Sequence, residues 1–306
     1  MRPVSRTLTT DVEIPYLGFG TYLIADDEVA AAVREAIRAG YRHIDTAEGY
    51  QNESGVGAGI KLALASEGLA RSELFVTTKL WPGNPVWGQP AKTTESTVTS
   101  LGESLERLGI DYVDLYLIHA PFERDQRLAQ WRGLVELKRQ GKARAIGVSN
   151  FSIKHIEEPK AAGLPMPVAN QIELHPWSQK PELVRYLNDN AITPIAYSSI
   201  VPLSTWRIAE GQDSAKTDQM KADGEQADAP FKVMAKKYDV SEAQVLLRWA
   251  IQKGYAVLPK STNPDRMRKN ADIFGFNIDD EDMAAIEKMD RDDGVAWATG
   301  DPTKAP

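Results

Sequence analysis

The stretch Gly40-Tyr-Arg-His-Ile-Asp-Thr-Ala-Glu-Gly-Tyr-Gln-Asn-Glu53 opens on a strand-like run, ends that run in Asp45, and brings a tyrosine, Tyr50, five positions later. The same ending recurs downstream. Lys79 closes the apolar run Leu74-Phe-Val-Thr-Thr-Lys79, and His119 closes Tyr112-Val-Asp-Leu-Tyr-Leu-Ile-His119. If these strands lie parallel in one barrel, their C-terminal ends share a face and the four polar side chains meet there. Asp, Tyr, Lys and His together suit a proton donor with a tuned pKa, not a hydrolytic triad. Taken singly, each has a plainer reading: Asp45 as a turn residue or helix cap, Tyr50 as a half-buried core tyrosine, Lys79 as an ordinary strand end.

Outward from this stretch the chain alternates short β-like runs with helical ones. Strands are expected at 17–22, 43–47, 74–80, 113–119, 143–149, 168–173, 193–198 and 255–259. Between them, Val98, Leu101, Leu105 and Leu108 draw one helical stripe that Gly109 ends, and Val29, Val33 and Ile37 draw another closed by Gly40. Ser241-Glu-Ala-Gln244 is a capping box for the helix that follows, which Gly254 stops. Eight strands, each feeding a helix, predict a (β/α)8 TIM barrel in a single domain spanning 1–306. Residues 7–14 alternate Leu8, Thr10, Val12 and Ile14, the pattern of an N-terminal β-hairpin plugging the barrel. Two segments break the rhythm and read as long loops at the C-terminal face. The polar stretch 204–230 is expected to fold over a cofactor as a lid, and 294–306 reads as a loose tail carrying Trp297.

Composition bounds the function. With 306 residues, 42% hydrophobic and 26% charged, the chain suits one soluble domain with a full core. A net charge of −7 argues against nucleic-acid binding, and no apolar stretch is long enough to span a membrane. The first residues lack the apolar core of a secretion signal, so the expected compartment is cytoplasmic. Without cysteine there is no thiol nucleophile and no cysteine metal site, and Glu173 with His175 does not amount to a metal site. No Gly-x-Gly-x-x-Gly fingerprint follows the first strand, which disfavours a Rossmann dehydrogenase. Near the end, Lys260-Ser-Thr-Asn263 leads into Pro264, an Asn cap with proline at the first helical position. A helix start favours an anion, and Lys260, Ser261 and Arg266 surround it, with Asn270 one turn beyond Arg266. His43 reads as a satisfied strand residue, and His155 and His175 as loop groups on the surface.

Seven motifs, in order, carry a resemblance. Gly18-Phe-Gly-Thr21, Gly40 to Tyr50, Val76-Thr-Thr-Lys79, Leu117-Ile-His119, Gly147-Val-Ser-Asn150, Asn170-Gln-Ile-Glu173 and Leu258-Pro-Lys-Ser261 make the chain resemble an aldo-keto reductase over nearly its whole length. Ile44-Asp-Thr-Ala-Glu48 and His119-Ala-Pro-Phe122 are also similar to fungal-type conjugated-ketone reductases. The resemblance implies NADPH-dependent reduction of aldehydes or ketones, with Asp45, Tyr50, Lys79 and His119 as the catalytic tetrad. It further implies that Gly20, Thr21, Asp45, Ser149, Asn150, Gln171 and Ser198 lie along the cofactor. Tyr197 would stack on the nicotinamide, and Lys260, Ser261, Thr262, Arg266 and Asn270 would hold the adenosine 2′-phosphate. Lys269 departs from the family, which commonly has Glu there. Tyr22, Trp81, Phe122 and Trp297 are expected as aromatic walls around a small carbonyl substrate, beside His119. Ala120, where relatives carry a bulky aromatic, suggests a roomier pocket. Rival readings are an NADPH-binding regulatory subunit and a sugar-phosphate isomerase or aldolase. Oligomeric state is left open.

Overall fold

A computed structural model describes residues 4–203, 229–292, 294–297 and 300–306. The chain opens with an antiparallel hairpin, β1 (Ser5–Thr9) and β2 (Val12–Pro15). Eight parallel strands follow: β3 (Phe19–Gly20), β4 (His43–Asp45), β5 (Phe75–Leu80), β6 (Val113–Ile118), β7 (Ala143–Ser149), β8 (Ala169–Glu173), β9 (Thr193–Tyr197) and β10 (Ala256–Val257). They pair in chain order from β3 to β10. A parallel bridge between Leu17 and Val257 joins the two ends of the sheet, supported by Gly18 N–H donating to the Val257 carbonyl at 2.8 Å. The eight expected strands are thus the eight observed. The first and last are shorter than expected, because the seam is built from single bridges beside Gly18 and Gly20. A Cβ on Gly18 would fall 2.5 Å from the His43 ring.

The helices lie where the stripes place them. Thr94–Leu108 buries Leu101, Leu105 and Leu108 and ends on Gly109 at φ 64°. Asp26–Arg38 buries Val29, Val33 and Ile37. Ser241 caps Glu242–Gln252 through the Gln244 N–H, as the capping box requires. Every residue of β5 and β6 is buried, as befits strands covered on both faces. One apolar cluster fills the layer between strands and helices. A second fills the barrel interior, where Leu8, Val12 and Ile14 of the hairpin pack with Phe75, Leu115, Leu117, Ala145 and Ile195. The hairpin therefore plugs the N-terminal end.

The stretch expected to form a lid lies outside the described residues, apart from its last two positions, where Pro230–Tyr238 begins a helix. The tail is not loose where it is described. Val295 is buried, Pro302–Lys304 forms a turn of 3-10 helix, and the Arg127 guanidinium donates to the Pro306 carbonyl at 2.9 Å. Its anchors lie far away in the chain: Val295 packs with Trp177 and Val201, and the Arg127 and Glu173 side chains bond its backbone. Among the described residues no helix is long and apolar enough to cross a membrane, and no group of three acidic, His or Cys residues could hold a metal ion.

Candidate active site

Strands β4, β5 and β6 end side by side, and their register sets Asp45 beside Thr77 and Lys79 beside Leu117. The Lys79 side chain is fully buried at the mouth, where an ammonium needs a partner for each N–H. It finds three. Nζ donates to Asp45 Oδ1 at 2.6 Å, to the Thr46 carbonyl at 2.8 Å and to the Tyr50 hydroxyl oxygen at 3.2 Å. Asp45 Oδ2 is taken by Gln171 Nε2 at 2.7 Å, so the carboxylate is held from two strands. The His119 ring packs edge-on to Tyr50 with centroids 5.4 Å apart.

These contacts set the charges. Burial alone would lower the Lys79 ammonium, but Asp45 and Tyr50 outweigh it and its pKa is raised, so it stays a cation. Burial raises the Tyr50 phenol above its ordinary 10.0 despite the pull of Lys79. Burial, reinforced by the Lys79 charge, holds His119 well below 6.5, so the imidazole is neutral near pH 7. Because the Tyr50 oxygen accepts from Lys79, its own proton is left to point elsewhere. A carbonyl oxygen reaching this spot meets a phenol proton backed by a cation and a neutral imidazole.

The expected cofactor residues fall into two groups. At the mouth, Ser149 Oγ donates to the Gln171 carbonyl at 2.8 Å, and Asn150 Nδ2 donates to the His119 carbonyl at 3.0 Å. Tyr197 donates from its hydroxyl to Asn150 Oδ1 at 2.7 Å. Asn150 (φ 63°) and Ser198 (φ 55°) sit in the left-handed region at the ends of β7 and β9. Such backbone strain gathers where a scaffold fixes a site. Thr21 is fully buried, and its hydroxyl is used on the Asp45 carbonyl at 3.0 Å; Gly20 lies against the Leu258 carbonyl. The second group surrounds the helix Pro264–Ala271. Asn263 accepts from the Arg266 N–H at 3.0 Å, and Ser261 Oγ accepts from the Asn263 N–H at 3.1 Å. Lys260 is half-buried, Thr262, Arg266 and Lys269 are exposed, and Asn270 is buried. Arg268 binds Asp265 and Glu35, whereas Arg266 has no acidic partner among the described residues.

Aromatic rings wall the mouth. Tyr22 tilts against Tyr50 at 5.0 Å, Trp81 and Trp297 stand edge-on to His119 at 5.6 and 6.0 Å, and Phe122 bridges Trp81 and Trp297. Ala120 is fully buried and presents no surface there. Sequence reasoning missed several supports. Thr46 accepts from Lys79 through its carbonyl, which no side-chain pattern reveals. Glu48 accepts from the Trp81 N–H at 2.9 Å and pairs with Lys92 at 3.0 Å; its place two residues before Tyr50 was the available signal. Trp87 stacks on Trp81 at 5.8 Å. His43, as expected, is a buried strand residue, but it is only half satisfied: Nε2 meets the Thr77 hydroxyl on the next strand at 3.0 Å, and Nδ1 has no hydrogen-bond partner among the described residues. His155 and His175 are not surface groups: both are fully buried, His155 against the Ala305 carbonyl and His175 against Glu173. His155 meets the chain's own tail at Ala305, a contact that no local window contains.

The Aldo/keto reductase family model matches residues 16–291. Glyoxal reductase of Bacillus subtilis (strain 168) is 38% identical over 289 residues, covering 94% of this chain and 93% of the relative. Methylglyoxal reductase DkgA of Yersinia pestis is 38% identical over 278 residues, covering 90% and 89%. The crystal structure of Bombyx mori aldo-keto reductase (AKR2E4) in complex with NADP superposes with a TM-score of 0.82 at 36% identity, covering 96% of this chain and 95% of that one.

Proposed function

The chain belongs to the aldo/keto reductase family, and from that premise we propose how its residues carry out the NADPH-dependent reduction of aldehydes and ketones to alcohols. The observation that carries the reading is the exhausted donor set of Lys79, bonded to Asp45, Thr46 and Tyr50. A phenol that accepts from a buried cation gives up its proton more readily in the transition state than a free one, while remaining protonated at rest. Tyr50 is the proton donor to the carbonyl oxygen. His119, neutral, donates a hydrogen bond to that oxygen, and Asp45 holds Lys79 in place.

Two features support the fit to NADPH. Buried amides of Asn150 and Gln171 line the mouth beside Tyr50, and an exposed Arg266, with no acidic partner among the described residues, stands at a helix start where a phosphate is favoured. When bound, NADPH supplies the hydride that reaches the carbonyl carbon. Asn150, Gln171 and Tyr197 orient the nicotinamide end, and Lys260, Ser261 and Arg266 hold the 2′-phosphate end. Trp81, Phe122 and Trp297 enclose the substrate's apolar body. Because two relatives are named for glyoxal and methylglyoxal, α-dicarbonyls are the first compounds to assay, followed by aryl aldehydes and cyclic diketones. The test follows nicotinamide absorbance in the purified protein with NADPH and this panel. Turnover of at least one carbonyl is expected. Tight NADPH binding with no turnover of any would point instead to a regulatory binding protein.

A further inference from the structure

Trp297 is held from both sides by buried charge. Upstream of it, the Glu173 carboxylate, 2% exposed, accepts from the Val295 N–H at 2.7 Å and the Ala296 N–H at 3.1 Å while pairing with His175 Nε2 at 2.9 Å. Downstream, Asp301 forms a buried ion pair with Lys180 and caps the turn Pro302–Lys304 through the Thr303 N–H at 2.9 Å and hydroxyl at 2.7 Å. Gly294 shows how closely the two anchors converge. A Cβ there would lie 3.3 Å from Glu173 Oε2 and 3.4 Å from Asp301 Cβ.

Between the anchors the indole does two things at once. Its N–H donates to the Tyr197 hydroxyl at 2.9 Å, and its ring stands edge-on to His119 at 6.0 Å. Tyr197 passes the connection to Asn150, and Asn150 to the His119 carbonyl. Glu173 is itself the register partner of Tyr197, so the upstream anchor and the indole's acceptor sit on neighbouring strand ends. Buried carboxylates and ammonium groups are costly unless fully paired and hydrogen-bonded. A chain end that needed only attachment could be held by apolar contacts. Polar anchors flanking one ring specify where that ring stands.

We infer that Glu173 and the Lys180–Asp301 pair are positioning residues for carbonyl reduction: they clamp the chain on either side of Trp297 and fix its indole between the substrate position and Tyr197. The inference rests on the reading of Trp297 as a substrate wall. Loosening the clamp weakens binding of substrates large enough to touch the indole, and spares small ones. Removing the indole leaves the clamp nothing to position.

Asp301→Asn keeps the capping oxygen and removes the charge; the double variant Lys180→Met/Asp301→Asn leaves no charge buried alone and guards against a folding defect in the single one. Both are made in the wild type and in Trp297→Ala, and assayed with NADPH against 2-naphthaldehyde and methylglyoxal. For naphthaldehyde, KM should rise about tenfold with kcat within about twofold, the split expected when ground-state placement is lost. In the Trp297→Ala background the same substitutions should change KM by less than about twofold, since residues acting through one group do not add. Amide hydrogen exchange at 295–297 should quicken in Asp301→Asn relative to the barrel strands. Equal KM increases in both backgrounds, or unchanged KM in the folded double variant, overturn the positioning role. Unchanged exchange overturns the clamp whatever the activity, whereas absence of any carbonyl turnover by the wild type with exchange altered as expected would fault the proposed function alone.

Discussion

The two ends of the barrel are built from the same strands and made of opposite materials. β5 begins with Phe75 in the apolar plug under Leu8, Val12 and Ile14, and four residues later, next to its end, carries Lys79 bonded to Asp45 and Tyr50. β8 likewise runs from Ala169 in the plug to Gln171 on the Asp45 carboxylate. The closed end is held by non-directional burial, which tolerates rearrangement. The open end is held by directional hydrogen bonds among Lys79, Asp45, Gln171 and Asn150. Stability and chemistry are therefore separable along a single strand, as barrel architecture allows.

The sharpest way to break that separation is at the open end. Tyr50→Phe should cost on the order of 10²-fold or more in carbonyl reduction while leaving NADPH binding near wild type, because the positioned proton donor is removed. Single-turnover reduction under conditions where hydride transfer limits the rate, beside a cofactor titration, measures both. Near-normal turnover would exclude Tyr50 as the acid. At the closed end the opposite is expected. Ile14, fully buried, should cost about 2–5 kcal/mol of stability on truncation to Ala through transfer loss and cavity formation. Urea unfolding measures it, and activity per folded molecule should be retained. An Ile14→Ala enzyme that is stable but inactive would show that the ends communicate.

A smaller effect sharpens the picture within the open end. Arg266→Ala should weaken NADPH by about ten- to hundredfold and NADH much less, since a charge-assisted contact to phosphate contributes roughly 1.5–3 kcal/mol. Equal losses for both cofactors would make Arg266 structural. The smallest expected change is with pH. The active form of Tyr50 is protonated and is lost only as pH rises through its raised pKa. The active form of His119 is neutral and is lost only as pH falls through its depressed one. Hydride-limited reduction should thus vary less than about twofold between about pH 6 and pH 9. A limb centred near the ordinary histidine pKa would show that His119 is not shielded as its burial and Lys79 dictate.

Much of the barrel was readable because its signals are local. Stripes such as Val98, Leu101, Leu105 and Leu108 and punctuation such as Gly109 act within one window, and the structure follows them. The four side chains that meet at the mouth were readable for a related reason: Asp45, Lys79 and His119 lie at or beside strand ends, Tyr50 follows Asp45 by five residues, and parallel strands bring their ends together. The supporting contacts of Thr46, Glu48 and Glu173 escaped notice because they run through backbone groups or distant partners. Glu173 accepts from Val295 across 122 positions of chain. Ala120 was placed as a pocket feature, yet neighbouring packing buries it completely.

The sequence alone determined the alternation of strands and helices, the caps or stops of several helices, and which polar side chains lie at the strand ends, because these depend on propensity, amphipathic spacing and capping within a few residues. Only the tertiary structure decided which donors meet which acceptors. The Lys79 ammonium, the Asp45 carboxylate between two strands, and the tail folded back over His155 and onto Glu173 all depend on contacts between groups far apart in the chain. Burial then set their protonation, since desolvation and the nearest charge act through space and leave no mark on local sequence.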